Sequence, residues 1–137
     1  MKPHVSVITL GVQDVNRSKQ FYAKGLGWPV LQEQGPWVCF ALGDGSSGFG
    51  LLPREALAQD AGVAADAHGF PGFTLTYNVR AEQRVAAVLE EAKRAGGAIV
   101  KPAEAQPWGG VSGTFTDPDG YLWKVASGGA HTPFAAE

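Results

Sequence analysis

Cysteine is nearly absent from this sequence, and long apolar runs are missing altogether. The single cysteine, Cys39, excludes an intramolecular disulfide, a pattern that favours a reducing cytoplasm. No apolar run approaches the ~20 residues that a membrane-spanning helix needs, and the N-terminus lacks the pattern of a signal peptide. We therefore expect a cytoplasmic protein without a membrane partner. Within Trp37–Phe40, Cys39 is expected to be a small buried hydrophobe rather than a nucleophile.

An excess of charge of either sign is also missing. The 11 basic and 13 acidic residues leave a net charge of −2, and no basic cluster lies along the chain. A nucleic-acid partner is therefore not expected. The 137 residues, of which 45% are hydrophobic, are enough for one sizeable core and give no sign of a second independent unit. We expect a single domain over residues 1–137.

The most informative stretch that is present is Gly113–Val125, with the sequence GTFTDPDGYLWKV. It alternates into a DPDG turn and out again, which is typical of a β-hairpin. Alternation along the second strand places Leu122 and Lys124 on one face and Trp123 on the other. A lysine on an inward face is unusual because an unpaired buried ammonium is costly. Lys124 is therefore a candidate functional residue.

Periodicity predicts the same order of elements in each half of the chain: strand, helix, strand, strand, strand. In the first half, Asp14 is the predicted N-cap of a helix with an apolar stripe at Val15, Phe21, Tyr22 and Leu26. The strands of the first half are predicted at Val5–Val12, Trp28–Gln32, Trp37–Leu42 and Phe49–Pro53. The second half is predicted to hold a helix at Ala81–Ala95 and strands at Phe73–Val79, Ala98–Lys101, Val111–Thr116 and Tyr121–Ala126.

Some positions of the two halves match residue by residue. Ile8-Thr9-Leu10 corresponds to Phe73-Thr74-Leu75, and a Phe…Asp-Gly pattern at 40–45 recurs at 115–120. With only two copies, the economical interpretation is one α+β domain built from two βαβββ modules. Each helix is expected to cover one sheet face, so that the opposite faces line a shared concave space. The predicted boundaries are 4–54 for module one, 55–71 for a linker with a candidate short helix at Glu55–Gln59, 72–127 for module two and 128–137 for the tail.

The segment ITLGVQDVNRSKQFYAKGLGW, the repeated βαβββ order and DPDGYLWKV together resemble the vicinal oxygen chelate superfamily, which includes glyoxalases, extradiol dioxygenases and bleomycin-resistance proteins. The resemblance covers about residues 4–127. It implies an α+β fold in which two βαβββ modules form a U-shaped mixed sheet around a ligand or metal site, often in a homodimer. It implies no single reaction, because this fold carries enzymes and binding proteins alike.

Metal-dependent members of the family hold a divalent ion with four inward His, Gln or Glu side chains. Carried onto this sequence, those positions fall on Val7, on Gly50 or Leu51, on Thr74 or Thr76, and on Lys124. A protonated amine has no lone pair to offer and repels a dication, and the other positions lack a strong donor. The three histidines, His4, His68 and His131, lie outside the pattern, although a dimer partner could donate one of them. We expect no metal and no other cofactor.

Parity along the strands instead predicts an apolar cavity with a few hydroxyl groups and one cation, which is the composition of an organic-ligand pocket. Trp37 and Trp108 lie beside glycines and prolines in QGPW and QPWGG, where a planar ring could stack on a flat ligand. Alternatively, both tryptophans pack the two modules together. The predicted ligand-binding residues are Val7, Thr9, Trp37, Thr74, Thr76, Trp108 and Lys124.

Two interpretations of Lys124 are open. In the first, it binds an anionic group of a ligand. In the second, its role is structural: it pairs with a carboxylate such as Glu104, or it extends its ammonium to solvent at the end of the sheet.

Two classes of function follow for the whole chain. The first is a metal-free binding protein that sequesters or carries a small apolar compound, with an aromatic ring and an acidic group as features that the tryptophans and Lys124 would recognise. The alternative is an enzyme, a glyoxalase-like lyase or isomerase or a dioxygenase, in which a Lys124 with a lowered pKa could serve as a base. No catalytic residue is assigned. The replaced ligand positions favour the binding protein.

Overall fold

A computed structural model of the chain describes residues 1–43, 47–66, 70–117 and 120–137. His68 and the central Pro118-Asp119 of the DPDG turn lie outside the described residues, as does the Asp44-Gly45 half of the first Phe…Asp-Gly match. The strands are β1 (Val7–Val12), β2 (Val30–Gln34), β3 (Trp37–Ala41), β4 (Gly48–Pro53), β5 (Phe73–Val79), β6 (Ala98–Ala105), β7 (Val111–Thr116) and β8 (Leu122–Ser127). The α-helices are α1 (Val15–Gln20), α2 (Arg54–Ala61) and α3 (Glu82–Arg94).

The strands form one open mixed sheet in the order β2-β3-β4-β1-β5-β8-β7-β6. Within each module the first strand lies parallel to the last, β1 beside β4 and β5 beside β8. The modules meet through an antiparallel pair between β1 and β5, in which Thr9 faces Thr74 and Val7 faces Thr76. The predicted α+β fold of two βαβββ modules is thereby confirmed, and the modules pair within one chain.

The first and last helices cover one face of the sheet. In module two, α3 buries Val85, Val88 and Leu89 against Tyr77 and Val125 of the strands. In module one, the side chains of Tyr22 and Trp28 pack on Phe40 and Phe49. This arrangement leaves the opposite face of each module free to build a cavity.

The predicted apolar stripe of the first helix is wrong at two positions. Asp14 does cap the helix, accepting a hydrogen bond from the Arg17 amide at 3.1 Å. After Gln20 the helix changes to a π-helical turn at Phe21–Gly25, in which the Leu26 amide donates to the Phe21 carbonyl. The wider turn shifts the register of side chains, so that Phe21 and Leu26 are 57% and 51% exposed.

The segment predicted as a linker contains most of helix α2. α2 is longer than the predicted Glu55–Gln59 helix and ends at Gly62, which has a left-handed φ of 83°. Its buried residues Leu57, Ala58 and Ala61 pack with Phe70 and with Leu122 of β8. Because Leu122 and Lys124 share one strand face, α2 lies on the opposite side of the sheet from α1 and α3, over the concave space.

The tail also folds onto the concave face, as a 3₁₀ helix at Gly129–Phe134. Phe134 packs against Val7, Cys39 and Trp37. Beyond the helix, the Glu137 carboxylate forms an ion pair with Arg84 and accepts a hydrogen bond from Tyr77. Among the helices in the described ranges, none combines the length and the apolar character needed to cross a membrane.

Candidate ligand-binding cavity

A cavity of about 350 Å³ lies between the concave sheet face, α2 and the 3₁₀ helix of the tail. All seven residues predicted as ligand-binding lie on its wall. The described residues that line it are Val7, Thr9, Gln34, Pro36, Trp37, Leu52, Ala56, Leu57, Asp60, Thr74, Thr76, Trp108, Lys124 and His131. Such a volume, largely apolar with a few polar groups, is suited to a small organic molecule.

Sheet register explains why the inward residues converge. Val7 of β1 pairs with Thr76 of β5, which in turn pairs with Lys124 of β8. Thr9 and Thr74 form the next inward pair along β1 and β5. Because residues two apart on a strand point to the same face, this block of five side chains forms the floor of the cavity.

The two tryptophans come from corresponding hairpin regions of the two modules. Trp37 begins β3, and its ring covers Gly50 of β4, where any Cβ would overlap the ring. Trp108 lies between β6 and β7, and its ring covers Gly110 in the same way. Each glycine thus provides the space in which a large ring lies against the backbone. One tryptophan of each module bounds the cavity, and Trp108 is 37% exposed.

The ammonium group of Lys124 is paired inside the cavity. Its Nζ donates to Oδ2 of Asp60 at 2.9 Å, with 15% of the lysine side chain and 23% of the aspartate side chain exposed. The same Nζ lies 5.2 Å from the centre of the Trp108 ring, within the range of a cation–π interaction. The alternative in which Lys124 pairs with a carboxylate is the one that the structure shows, with Asp60 of α2 as the partner in place of Glu104.

His131 reaches the cavity from the tail. Its ring lies 4.9 Å from the ring centre of Trp108, and the amide of Asn78 donates to its backbone carbonyl at 2.9 Å. Burial, together with the nearby positive charge of Lys124, lowers the pKa of His131 to about 3. The imidazole is therefore neutral at physiological pH and can both donate and accept one hydrogen bond.

Three threonine hydroxyls add polar groups to this wall. Thr9, Thr74 and Thr76 are 4%, 3% and 2% exposed. In the parts of the chain that the structure describes, none of their hydroxyls has a hydrogen-bond partner. Because Thr9, Thr74 and Thr76 line the cavity, their hydroxyls are suited to bind the polar atoms of a ligand or of ordered water.

The positions of the metal ligands in related proteins do not fit a cation here. Val7 lies in an apolar cluster, Gly50 is covered by Trp37, and Lys124 holds the neighbouring carboxylate. Leu51, the alternative to Gly50, is fully buried on the helix-covered face. Across the described ranges, no group of three or more His, Cys, Asp or Glu side chains is placed to hold a metal ion. One weak hydroxyl donor at Thr74 or Thr76 does not replace the several ligands that a dication requires.

Sequence reasoning missed three polar members of the lining, Gln34, Asp60 and His131. Asp60 could have been found, because Ala56, Leu57 and Asp60 have the spacing of one helix face in a segment that was interpreted as a linker. No local pattern signals His131. Its position depends on contacts of the tail with Asn78, 53 residues away in sequence.

Comparison with known proteins gives a consistent result. The sequence profile of the Glyoxalase/Bleomycin resistance protein/Dioxygenase superfamily matches residues 4–125. A glyoxalase-related enzyme from Fulvimarina pelagi is 34% identical over 95% of each chain, with a TM-score of 0.44. A superfamily member from Vibrio splendidus 12B01 is 18% identical over 89% of this chain and 97% of its own, with a TM-score of 0.56.

A protein described as NAD-dependent benzaldehyde dehydrogenase from Legionella pneumophila is 17% identical over 88% of this chain and 96% of its own, with a TM-score of 0.70. At such identities, the last two likenesses concern the fold alone. No curated protein matches the sequence.

Proposed function

We propose that this chain, which belongs to the Glyoxalase/Bleomycin resistance protein/Dioxygenase superfamily, is a metal-free binding protein that sequesters or carries a small, largely apolar, planar compound. The observation that carries the proposal is the covering of Gly50 by the Trp37 ring. One corner that would hold a metal ligand in related proteins is instead an aromatic wall. A second ring, Trp108, bounds the cavity from the other module.

The remaining wall supports the same conclusion. Leu52, Leu57 and Val7 supply apolar surface, while the hydroxyls of Thr74 and Thr76 supply hydrogen-bonding groups. Apolar surface gives affinity, and a small number of fixed polar groups orients the bound molecule. The enzyme alternative through Lys124 has less support, because its Nζ is already engaged by the Asp60 carboxylate at 2.9 Å.

Binding of the neutral planar probe 2-naphthamide, followed by tryptophan fluorescence and calorimetry, tests this proposal. We expect the protein to bind the probe equally well with EDTA and with added Zn²⁺ or Ni²⁺. Trp108→Ala should weaken binding roughly tenfold, the equivalent of one aromatic contact. Tyr121→Ala is the matched control, since Tyr121 is 50% exposed and is not part of the cavity wall.

Three results would contradict the proposal. They are absence of binding, binding that disappears in EDTA and returns with metal, and equal affinities of the Trp108→Ala variant and the parent protein.

We also propose that the protein is a homodimer and is located in the cytoplasm. The exposed apolar side chains of Phe21, Leu26 and Leu31 provide surface that a second subunit could cover. Native mass spectrometry of the purified protein tests the dimer, and a monomer at micromolar concentration would contradict it.

A further inference from the structure

We infer that the cavity selects uncharged ligands over carboxylates, and that Asp60 is the residue that determines this selectivity. The inference rests on the proposed binding function and specifies the class of compound: a planar molecule whose polar group is a neutral hydrogen-bond acceptor, such as an amide or ketone oxygen. It replaces the expectation from sequence that Lys124 would bind an acidic group.

Charge balance in the cavity is the first argument. Asp60 and Lys124 are the only charged side chains in the described lining, and their charges cancel. The ring of His131 adds no positive charge at neutral pH. A carboxylate entering this cavity would lose its hydration without gaining an unpaired cation, which is unfavourable in a partly buried site.

The second argument concerns how firmly Asp60 is held. Asp60 lies on α2, and the neighbouring α2 residues Leu57 and Ala61 are buried in the cluster that includes Leu122 of β8. Lys101 donates from Nζ to the Asp60 backbone carbonyl at 3.2 Å, which fixes the end of the helix. An anionic ligand would have to displace a carboxylate that the fold already holds 2.9 Å from Lys124. An intramolecular partner has an effective concentration that a free ligand rarely matches.

A neutral acceptor can still use Lys124. An ammonium group has three N–H donors, of which one is directed at Asp60 while the charge also lies against the Trp108 ring. A carbonyl oxygen of a ligand near Trp108 can accept a hydrogen bond from one of the remaining N–H groups of Lys124 without disturbing the ion pair with Asp60. Charge-assisted hydrogen bonds of this kind are stronger than neutral ones, so the contact contributes affinity as well as orientation.

The experiment compares two probes of nearly equal shape, 2-naphthamide and 2-naphthoate, at pH 7.5 by calorimetry. The parent protein and three variants are measured: Asp60→Asn, Lys124→Met and the double variant that carries both changes. These give net charges of zero, +1, −1 and zero at the ion pair. Circular dichroism and thermal melting establish that each variant is folded.

We expect the parent protein to bind the amide about tenfold more tightly than the carboxylate, equivalent to about 1.4 kcal/mol. Asp60→Asn should strengthen carboxylate binding about tenfold relative to amide binding. Lys124→Met should make the preference for the amide larger, and the uncharged double variant should again prefer the amide. This order across four proteins isolates charge from shape.

Equal or tighter binding of 2-naphthoate by the parent protein overturns the inference and leaves the proposed binding function intact. So does an Asp60→Asn variant that is folded and binds 2-naphthamide but gains no affinity for the carboxylate. Failure of both probes to bind any of the folded proteins instead overturns the proposed function, and this inference with it.

Discussion

The ring of Trp37 lies over the α-carbon of Gly50, so closely that a Cβ on residue 50 would overlap two of its ring carbons. Gly50 pairs with Thr9 of β1 and with Cys39 of β3, in the middle of the sheet. The contact therefore fixes a cavity wall on a rigid element, and it depends on the lack of a side chain at one position.

Gly50→Ala is expected to displace Trp37 and to destabilise the protein by about 1 to 3 kcal/mol, the usual cost of overpacking. Binding of 2-naphthamide should weaken because the aromatic wall has moved. Urea denaturation and calorimetry measure the two effects. Gly43→Ala is the matched control, since an added Cβ there meets nothing within 4 Å. Equal stability and affinity of the two variants would show that Trp37 has another place to lie.

Phe134→Ala is expected to destabilise the protein by about 3 kcal/mol. The Phe134 side chain is 8% exposed and packs against Val7, Cys39 and Trp37. Its removal leaves a cavity beneath the tail and should loosen His131 as well. Tyr121→Ala removes an aromatic ring where it is 50% exposed, so the free energy of unfolding should change by less than about 0.5 kcal/mol. Similar losses for both variants would mean that the tail does not contribute to the core.

Because of His131, we expect the free energy of unfolding to fall in acid. Its pKa is lowered from 6.5 to about 3 in the folded protein, first by burial and then by Lys124. The unfolded chain therefore takes up a proton that the folded chain does not, and stability present above pH 6.5 is lost as the pH falls towards 3.

Urea denaturation of the parent protein and of His131→Gln between pH 7.5 and 4 measures this difference. The variant should lose less stability over the window. NMR of the imidazole should show a neutral ring at pH 5 in the parent protein. A ring that protonates near pH 6.5 would contradict the prediction.

Because of Cys39, we expect the free energy of unfolding to fall in alkali as well. The side chain is fully buried, and burial raises the pKa of its thiol from 9.0 to about 11. Between these values the unfolded chain releases a proton that the folded chain keeps. Stability that is complete below pH 9 is therefore lost as the pH rises towards 11, by on the order of 2 to 3 kcal/mol.

The difference in unfolding free energy between the parent protein and Cys39→Ala should shrink over this range of pH. Alkylation by iodoacetamide should be slow at pH 8 in the folded protein and fast in urea. Curves that fall in parallel, or rapid alkylation of the folded protein, would count against a buried thiol.

Local pattern determined the fold and the inward faces of the strands. Alternation has a period of two, so it placed Val7, Thr9, Thr74, Thr76 and Lys124 on one side without knowledge of the neighbouring strands. β5 and β7 begin and end at the predicted residues. The prediction for the first helix was less accurate, since the sequence pattern does not signal the change to a π-helical turn at Phe21–Gly25.

Only the tertiary structure decided what faces Lys124. Asp60 is 64 residues away in sequence, and His131 approaches from the tail through contacts with Asn78 and Trp108. Such positions follow from the packing of α2 and the tail over the concave sheet, where many weak apolar contacts act together. A sequence period records which side of its own element a residue occupies. It does not record which distant element covers that side. Here the covering element is α2, and its Asp60 balances the positive charge of Lys124 in the cavity.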